Sequence, residues 1–293
     1  MSAPVSGSMR LFAFRGIDVY LHWSWAVIGL LEIQWRADQY SSIVWNITEY
    51  IALFGLVLMH EFGHALACRS VGGEARQIML WPLGGVAYVR PPPRPGAHLW
   101  SIVAGPLVNL LLVPVTLVLW FLLRGHLSAD FETMLITLSV INGGLFLFNI
   151  LPIYPLDGGQ IVRALLWFFV GQERSLAIAA AMGLVTSVIG GICAVIFLQS
   201  YWLGIIAIYA AWRSFVGLRV ARARGDLLSG PRQPTARCPA CSEAPPMGAL
   251  WRCGNEHHFD VYASGGSCPA CDWSTQAISC VFCGETQAIA DFG

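Results

Sequence analysis

Lysine is absent: all 17 basic residues of the 293 are arginine, which by itself carries no functional conclusion. Charge of either sign is scarce. Only 12% of residues are charged, against about 25% in an ordinary soluble domain. Net charge is zero, which argues against nucleic acid as a partner. The N-terminus lacks a short apolar core followed by a small-residue cleavage site, so the first apolar segment reads as retained in place. No internal repeat is found. What is abundant is hydrocarbon: 56% of residues are hydrophobic and mean hydropathy is +0.61. The length allows one or two domains.

A membrane helix needs about 20 mostly apolar residues. Six segments qualify, at 19–35, 43–68, 98–123, 132–152, 175–198 and 201–217, the last one short. Arginines concentrate in alternate connections: Arg10 and Arg15, then Arg69, Arg76, Arg90 and Arg94, then Arg163 and Arg174, then Arg213, Arg219, Arg222 and Arg224. The opposite side carries only Arg36 and Arg124. The positive-inside rule then predicts a multi-pass protein of the cell membrane with both termini cytoplasmic. The expected fold is an all-α polytopic membrane protein of about six transmembrane helices. It occupies residues 1–224 and is followed by a Pro/Gly/Ser/Arg-rich linker at 225–237 and a separate small domain at 238–293.

Within the second expected span lies His60-Glu61-Phe62-Gly63-His64. Positions i and i+4 share a helix face, so His60 and His64 can address one metal ion while Glu61 takes a proton from water at the metal. An ionisable side chain at mid-bilayer costs about 2.5–3.5 kcal/mol, and a shared cation offsets that cost. A catalytic zinc site takes a third protein ligand and keeps one position open. Asp157 is the best candidate. It lies in Asn149-Ile150-Leu151-Pro152-Ile153-Tyr154-Pro155-Leu156-Asp157-Gly158-Gly159, where the prolines interrupt a helix. Broken helices at membrane depth line cavities or sit within protein. The plain alternative is that Asp157 caps a helix over 160–169.

These stretches, together with Ala104-Gly105-Pro106-Leu107-Val108-Asn109, resemble the site-2 protease family of intramembrane zinc metalloproteases. The resemblance covers about residues 10–217, with the motifs in order on the second, third and fourth spans. It implies a site-2 protease-like core in which His60, His64 and Asp157 are zinc ligands, Glu61 is the catalytic acid/base, and Asn149 binds substrate or transition state. Chemistry supports an amide donor such as Asn149 at a developing oxyanion. Capping the helix break before Pro152 is its other reading. Ser101, Gly105 and Asn109 make a small-residue stripe, which leaves Asn109 between helix packing and a role near the site. His22, beside Trp23 and Trp25, reads as interfacial, and His98 and His126 as solvated. Cys68 and Cys193 read as small core residues. Residues 80–89 alternate and carry Gly84-Gly85, which favours a hairpin whose edge pairs with unwound substrate. No PDZ-like or CBS-like accessory module is visible.

Seven of the nine cysteines lie beyond the linker. Three Cys-x-x-Cys knuckles predict structural zinc in a double zinc ribbon. Eight ligands serve two sites: Cys238, Cys241, Cys280 and Cys283 for one, Cys253, His257, Cys268 and Cys271 for the other. His258 is an alternative to His257. The tail has more acidic than basic side chains, which favours a protein partner over nucleic acid.

The sequence therefore predicts an intramembrane zinc metalloendopeptidase with one catalytic and two structural zincs. Its expected substrate is a single-span membrane protein or a signal-peptide remnant held in the lipid bilayer. The alternative is a non-proteolytic membrane zinc protein, a scaffold or a metal transporter, whose zinc ribbon recruits partners. Glu61 separates the two, because a purely structural or transit site needs no general base.

Overall fold

The computed structural model describes residues 7–81 and 84–292. The chain divides into two compact units, 1–218 and 219–293.

The first unit is mostly helical. Strands β1 (Ser8–Phe14) and β2 (Ile17–His22) are followed by helices α1 (Ser24–Trp35) and α2 (Ile43–Ser70), then by strands β3 (Glu74–Trp81) and β4 (Gly84–Arg90). Helices α3 (Pro95–Leu123), α4 (Ala129–Ile150), α5 (Asp157–Val170), α6 (Gln172–Ile196) and α7 (Tyr201–Ser229) follow, the last of them continuing past residue 218 into the second unit. Among the described residues, α2, α3, α4, α6 and α7 are long and apolar enough to cross a membrane. Their large outward side chains are hydrocarbon, such as Leu111, Phe121, Val140, Ile189 and Ile208. Their buried positions include polar residues: Ser101, Asn109, Ser139, Asn142, Ser187 and Ser214. This inside-out distribution fits helices in lipid, where small and polar side chains make the contacts between helices.

The first expected span, 19–35, is not one helix. It is strand β2 followed by the 12-residue α1. The reason is pairing: β2 runs parallel to β3, with Asp18 opposite Gln77 and Leu21 opposite Leu80. Only after His22 does the chain turn helical. It then packs along α2, with the Tyr50 hydroxyl donating to the Trp25 carbonyl at 2.6 Å. A 3-10 turn at Ala37–Gln39 ends the passage. There Gln39 bonds Thr137 of α4, and the Arg36 guanidinium meets the buried Glu49 carboxylate at 2.8 Å. Strand and short helix together thus run the length of α2.

The sheet order is β1-β2-β3-β4, antiparallel except for the β2–β3 pair. An otherwise helical unit therefore carries a four-stranded sheet. Ile17, Val19, Ile78 and Leu80 are fully buried against Ala65 of α2. Arg69 ties this layer down by donating to the carbonyls of Arg15, Gly16 and Ala75. The hairpin expected over 80–89 is present as β3 and β4, although Pro82 and Leu83 lie outside the described residues.

Other boundaries also differ. Helix α7 continues to Ser229, so the expected linker at 225–237 begins as helix, and the short sixth span lengthens to Tyr201–Leu227. Helix α5 begins at Asp157 itself. His98 is partly buried, with its ring edge-on to Trp167 at 4.9 Å, rather than solvated. Cys68 is buried as expected, but Cys193 is exposed.

The second unit has two small hairpins, β5 (Trp251–Arg252) with β6 (His258–Phe259), and β7 (Ala277–Ser279) with β8 (Thr286–Ala288). Its two apolar clusters are each built around cysteines, one with Phe292 and one with Phe259 and Val261. Asp260 ties the unit together by accepting from Gln233 and from the backbone N–H of Gly248, Tyr262 and Ala263.

Candidate metal centre

Helix α2 carries His60, Glu61 and His64, all buried. One turn separates the two imidazoles, whose centroids lie 4.7 Å apart and nearly perpendicular. Their Nδ1 atoms are held from α3. Asn109 Oδ1 lies 3.0 Å from His60 Nδ1, and the Ser101 carbonyl 2.9 Å from His64 Nδ1. A carbonyl only accepts, so each imidazole donates through Nδ1 and turns the lone pair of Nε2 inward.

At that inner face the loop after α4 brings in Asp157. Its Oδ2 is 3.1 Å from His60 Nε2 and 3.4 Å from His64 Nε2, and the two Nε2 atoms are 3.0 Å apart. Three electron-pair donors converge with both Nδ1 atoms already engaged. A cation would fit among them. A tetrahedral zinc with bonds of about 2.0–2.1 Å separates its ligand atoms by about 3.3 Å, close to all three edges. The donor set of two imidazoles and one carboxylate is also a zinc set. The side chain of Asp157 is thus turned to the imidazoles, and α5 is preceded by Leu156 with no side-chain cap. The capping alternative does not describe this residue.

Glu61 faces the same space. A cavity of about 370 Å³ is lined by His60, Glu61, His64, Asn149 and Asp157 on one side and by Gly85, Val86 and Ala87 of β4 on another. Gly85 lies so close that a Cβ there would overlap the Glu61 carboxylate, and Gly105 stands in the same relation to the His64 ring. These two glycines let strand β4 and helix α3 approach the site closely. Asn149 is partly buried on the cavity wall. His22 is not part of the cluster. It stacks on Trp81 at 4.5 Å.

The sequence left Asn109 undecided and did not single out the Ser101 carbonyl as a partner. The available signal was the spacing of Ser101, Gly105 and Asn109 facing the two histidines. It becomes specific only when α2 and α3 are placed side by side.

The second unit holds two further clusters. Cys238, Cys241, Cys280 and Cys283 form one group, and Cys253, His257, Cys268 and Cys271 the other, each with its donor atoms within 4.8 Å. Sulfur separations are 3.7 Å for Cys238–Cys283, 3.8 Å for Cys241–Cys280 and 3.7 Å for Cys253–Cys271. These are far from the roughly 2.05 Å of a disulfide. They match the about 3.8 Å that a tetrahedral ion imposes on thiolates bonded at about 2.3 Å. His258 lies on β6 and is in neither group. Two thiols are held toward the thiolate, whereas burial pushes Cys241, Cys268 and Cys283 of the same clusters upward. For Cys271 the backbone N–H of Trp273, then His257, bring the pKa down to about 6. For Cys238 burial pushes up, but the backbone N–H groups of Cys241 and Ala240 outweigh it and leave about 7.

The model of peptidase family M50 matches residues 48–128 and 114–190. A zinc metalloprotease of Methanocaldococcus jannaschii is 35% identical over 176 residues, which are 60% of this chain and 50% of that protein. Stage IV sporulation protein FB of Bacillus subtilis is 27% identical over 211 residues, 70% of this chain and 65% of its own length. The solved structure of the site-2 protease from Methanocaldococcus jannaschii superposes with a TM-score of 0.55 at 30% identity. The match covers 72% of this chain and 95% of that one. The chain belongs to peptidase family M50, the site-2 proteases. Membership makes it a multi-pass membrane protein of a zinc metalloprotease family. The family match contains His60, Glu61, His64, Asn109, Asn149 and Asp157 and ends before the cysteine-rich tail. The chain spans about half the length of the first curated zinc metalloprotease it matches.

Proposed function

We propose that this chain is an intramembrane zinc metalloendopeptidase that cuts membrane-embedded protein segments. The observation that carries the reading is the shared cavity: Glu61 and Asn149 border the same space as the converged His60, His64 and Asp157. A general base beside three metal donors is what hydrolysis needs and what a scaffold or transit site does not.

His60, His64 and Asp157 bind the metal, with Asn109 and the Ser101 carbonyl orienting the imidazoles. Zinc bound there supplies a Lewis acid and brings the pKa of water toward about 7. The Glu61 carboxylate takes the proton of the attacking water and returns it to the leaving amine nitrogen. The Asn149 side-chain amide donates to the developing oxyanion. Strand β4 is the outer strand of its sheet and lines the cavity with Gly85, Val86 and Ala87. A locally unwound substrate adds to that edge as a further strand, which presents an extended backbone to the site.

The substrate class is a single-span membrane protein or a signal-peptide remnant. Both termini are cytoplasmic: the arginine-rich connections share one side, and the β2–α1 passage with five long helices keeps the number of crossings even. Residues 1–224 form the protease domain. Residues 238–293 form a double zinc ribbon with two structural zincs and bind a protein partner.

Substrate trapping tests the reading. With Glu61→Gln in native membranes, uncut single-span proteins should accumulate on the variant while its zinc stays bound. Turnover at the wild-type rate would refute it.

A further inference from the structure

Three residues before Asp157, Tyr154 is gripped by two helices that supply no metal ligand. On α7 the hydroxyl of Ser214, itself fully buried, donates to the Tyr154 carbonyl. One turn further, Gly217 lies against the Tyr154 ring, so that a Cβ there would stand 2.7 Å from Cε1. On α6, Gly183 meets the Tyr154 backbone: an added Cβ would be 2.5 Å from its N and 2.8 Å from Ser214 Oγ. No side chain fits at Gly183 or Gly217 without moving Tyr154.

The path from Tyr154 to Asp157 has little slack. Pro155 fixes its own φ, the Leu156 N–H returns to the Ile153 carbonyl at 2.8 Å, and the Gln160 N–H reaches the Leu156 carbonyl at 3.0 Å as α5 begins. The Tyr154 carbonyl precedes α5, and in lipid such a group needs a partner from elsewhere. Ser214 supplies it. The two imidazoles ride on one rigid helix, whereas Asp157 is the first residue of α5 and directly follows a loop, so its placement depends on what anchors that loop. Productive sites tolerate errors of only about 0.5 Å.

We propose that Ser214 and Gly217 of α7, with Gly183 of α6, are positioning residues. They form a seat for Tyr154 that sets the Asp157 carboxylate against His60 and His64. This inference rests on the reading of those three residues as a metal centre.

The test uses full-length, zinc-loaded protein in detergent and follows zinc release to a chelator. The fraction of zinc that His60→Ala removes defines the membrane site, apart from the ribbon. Ser214→Ala and Gly217→Val should release that fraction about tenfold faster, the scale seen when a ligand's support is lost. On a Tyr154→Ala background, which removes the ring that Gly217→Val strikes, the second substitution should add nothing. Gly191→Val is the control, since Gly191 touches Ala207 at another α6–α7 contact. It should leave release unchanged. Wild-type release in both seat variants, or equal acceleration by Gly191→Val, overturns the seat. If His60→Ala removes no zinc, the metal centre itself falls, and the seat with it.

Discussion

Asn109 Oδ1 stands 3.0 Å from His60 Nδ1, a bond between the two helices whose contact encloses the site. Asn109 is itself buried, and its backbone carbonyl accepts from Asn142 of α4 at 2.9 Å. A side chain that could have served only to join helices also engages Nδ1 of His60 and leaves Nε2 to face Asp157. Asn109→Ala should weaken zinc binding at the membrane site by about 10–100-fold, measured by chelator competition. Asn109→Asp keeps an acceptor at that point and should retain most of the affinity. Ribbon zinc should not change in either variant.

Asp157 is the only one of the three donors that comes from outside α2. Asp157→Ala should therefore remove one zinc per chain by elemental analysis, with secondary structure unchanged. Zinc content equal to wild type would exclude the carboxylate as a ligand.

Gly85 packs against the Glu61 carboxylate with no room for a side chain. Gly85→Val should push the carboxylate from its position and lower cleavage at least about 100-fold, the range supplied by a general base. Zinc content should stay at the wild-type level, which separates this variant from Asp157→Ala.

In the second unit the fold favours the thiolates of Cys271 and Cys238, with pKa values of about 6 and about 7 against an ordinary 9.0. A pKa lowered by folding contributes stability that is complete above the ordinary thiol range. It is lost as pH falls through the folded value. Zinc affinity of the ribbon, measured by chelator competition, should therefore fall as pH drops through this range, because protons compete with the metal for these thiolates. A zinc affinity that does not change between about pH 8 and about pH 5 would contradict the assignment of these thiols as ligands.

The sequence by itself determined what depends on neighbours along the chain. His60 and His64 lie one helical turn apart, so a single span was enough to pair them, and the Cys-x-x-Cys knuckles were visible for the same reason. Low charge and long apolar runs determined the membrane character. The tertiary structure decided everything that needed a second element. Residues 19–22 read as the start of a helix because they are apolar, yet they are strand, since β3, more than 50 residues away, offers a parallel edge. Asn109 had two readings until α3 lay against α2, and Asp157 lost its capping role only when its carboxylate faced both imidazoles. Tyr154, Ser214 and Gly217 carried no signal, because a hydroxyl and a glycine 60 or more residues away acquire meaning only through the backbone they touch. A metal site drawn from separate helices is encoded locally in its donors and globally in their convergence, because coordination is a matter of distance in space and not of spacing in sequence.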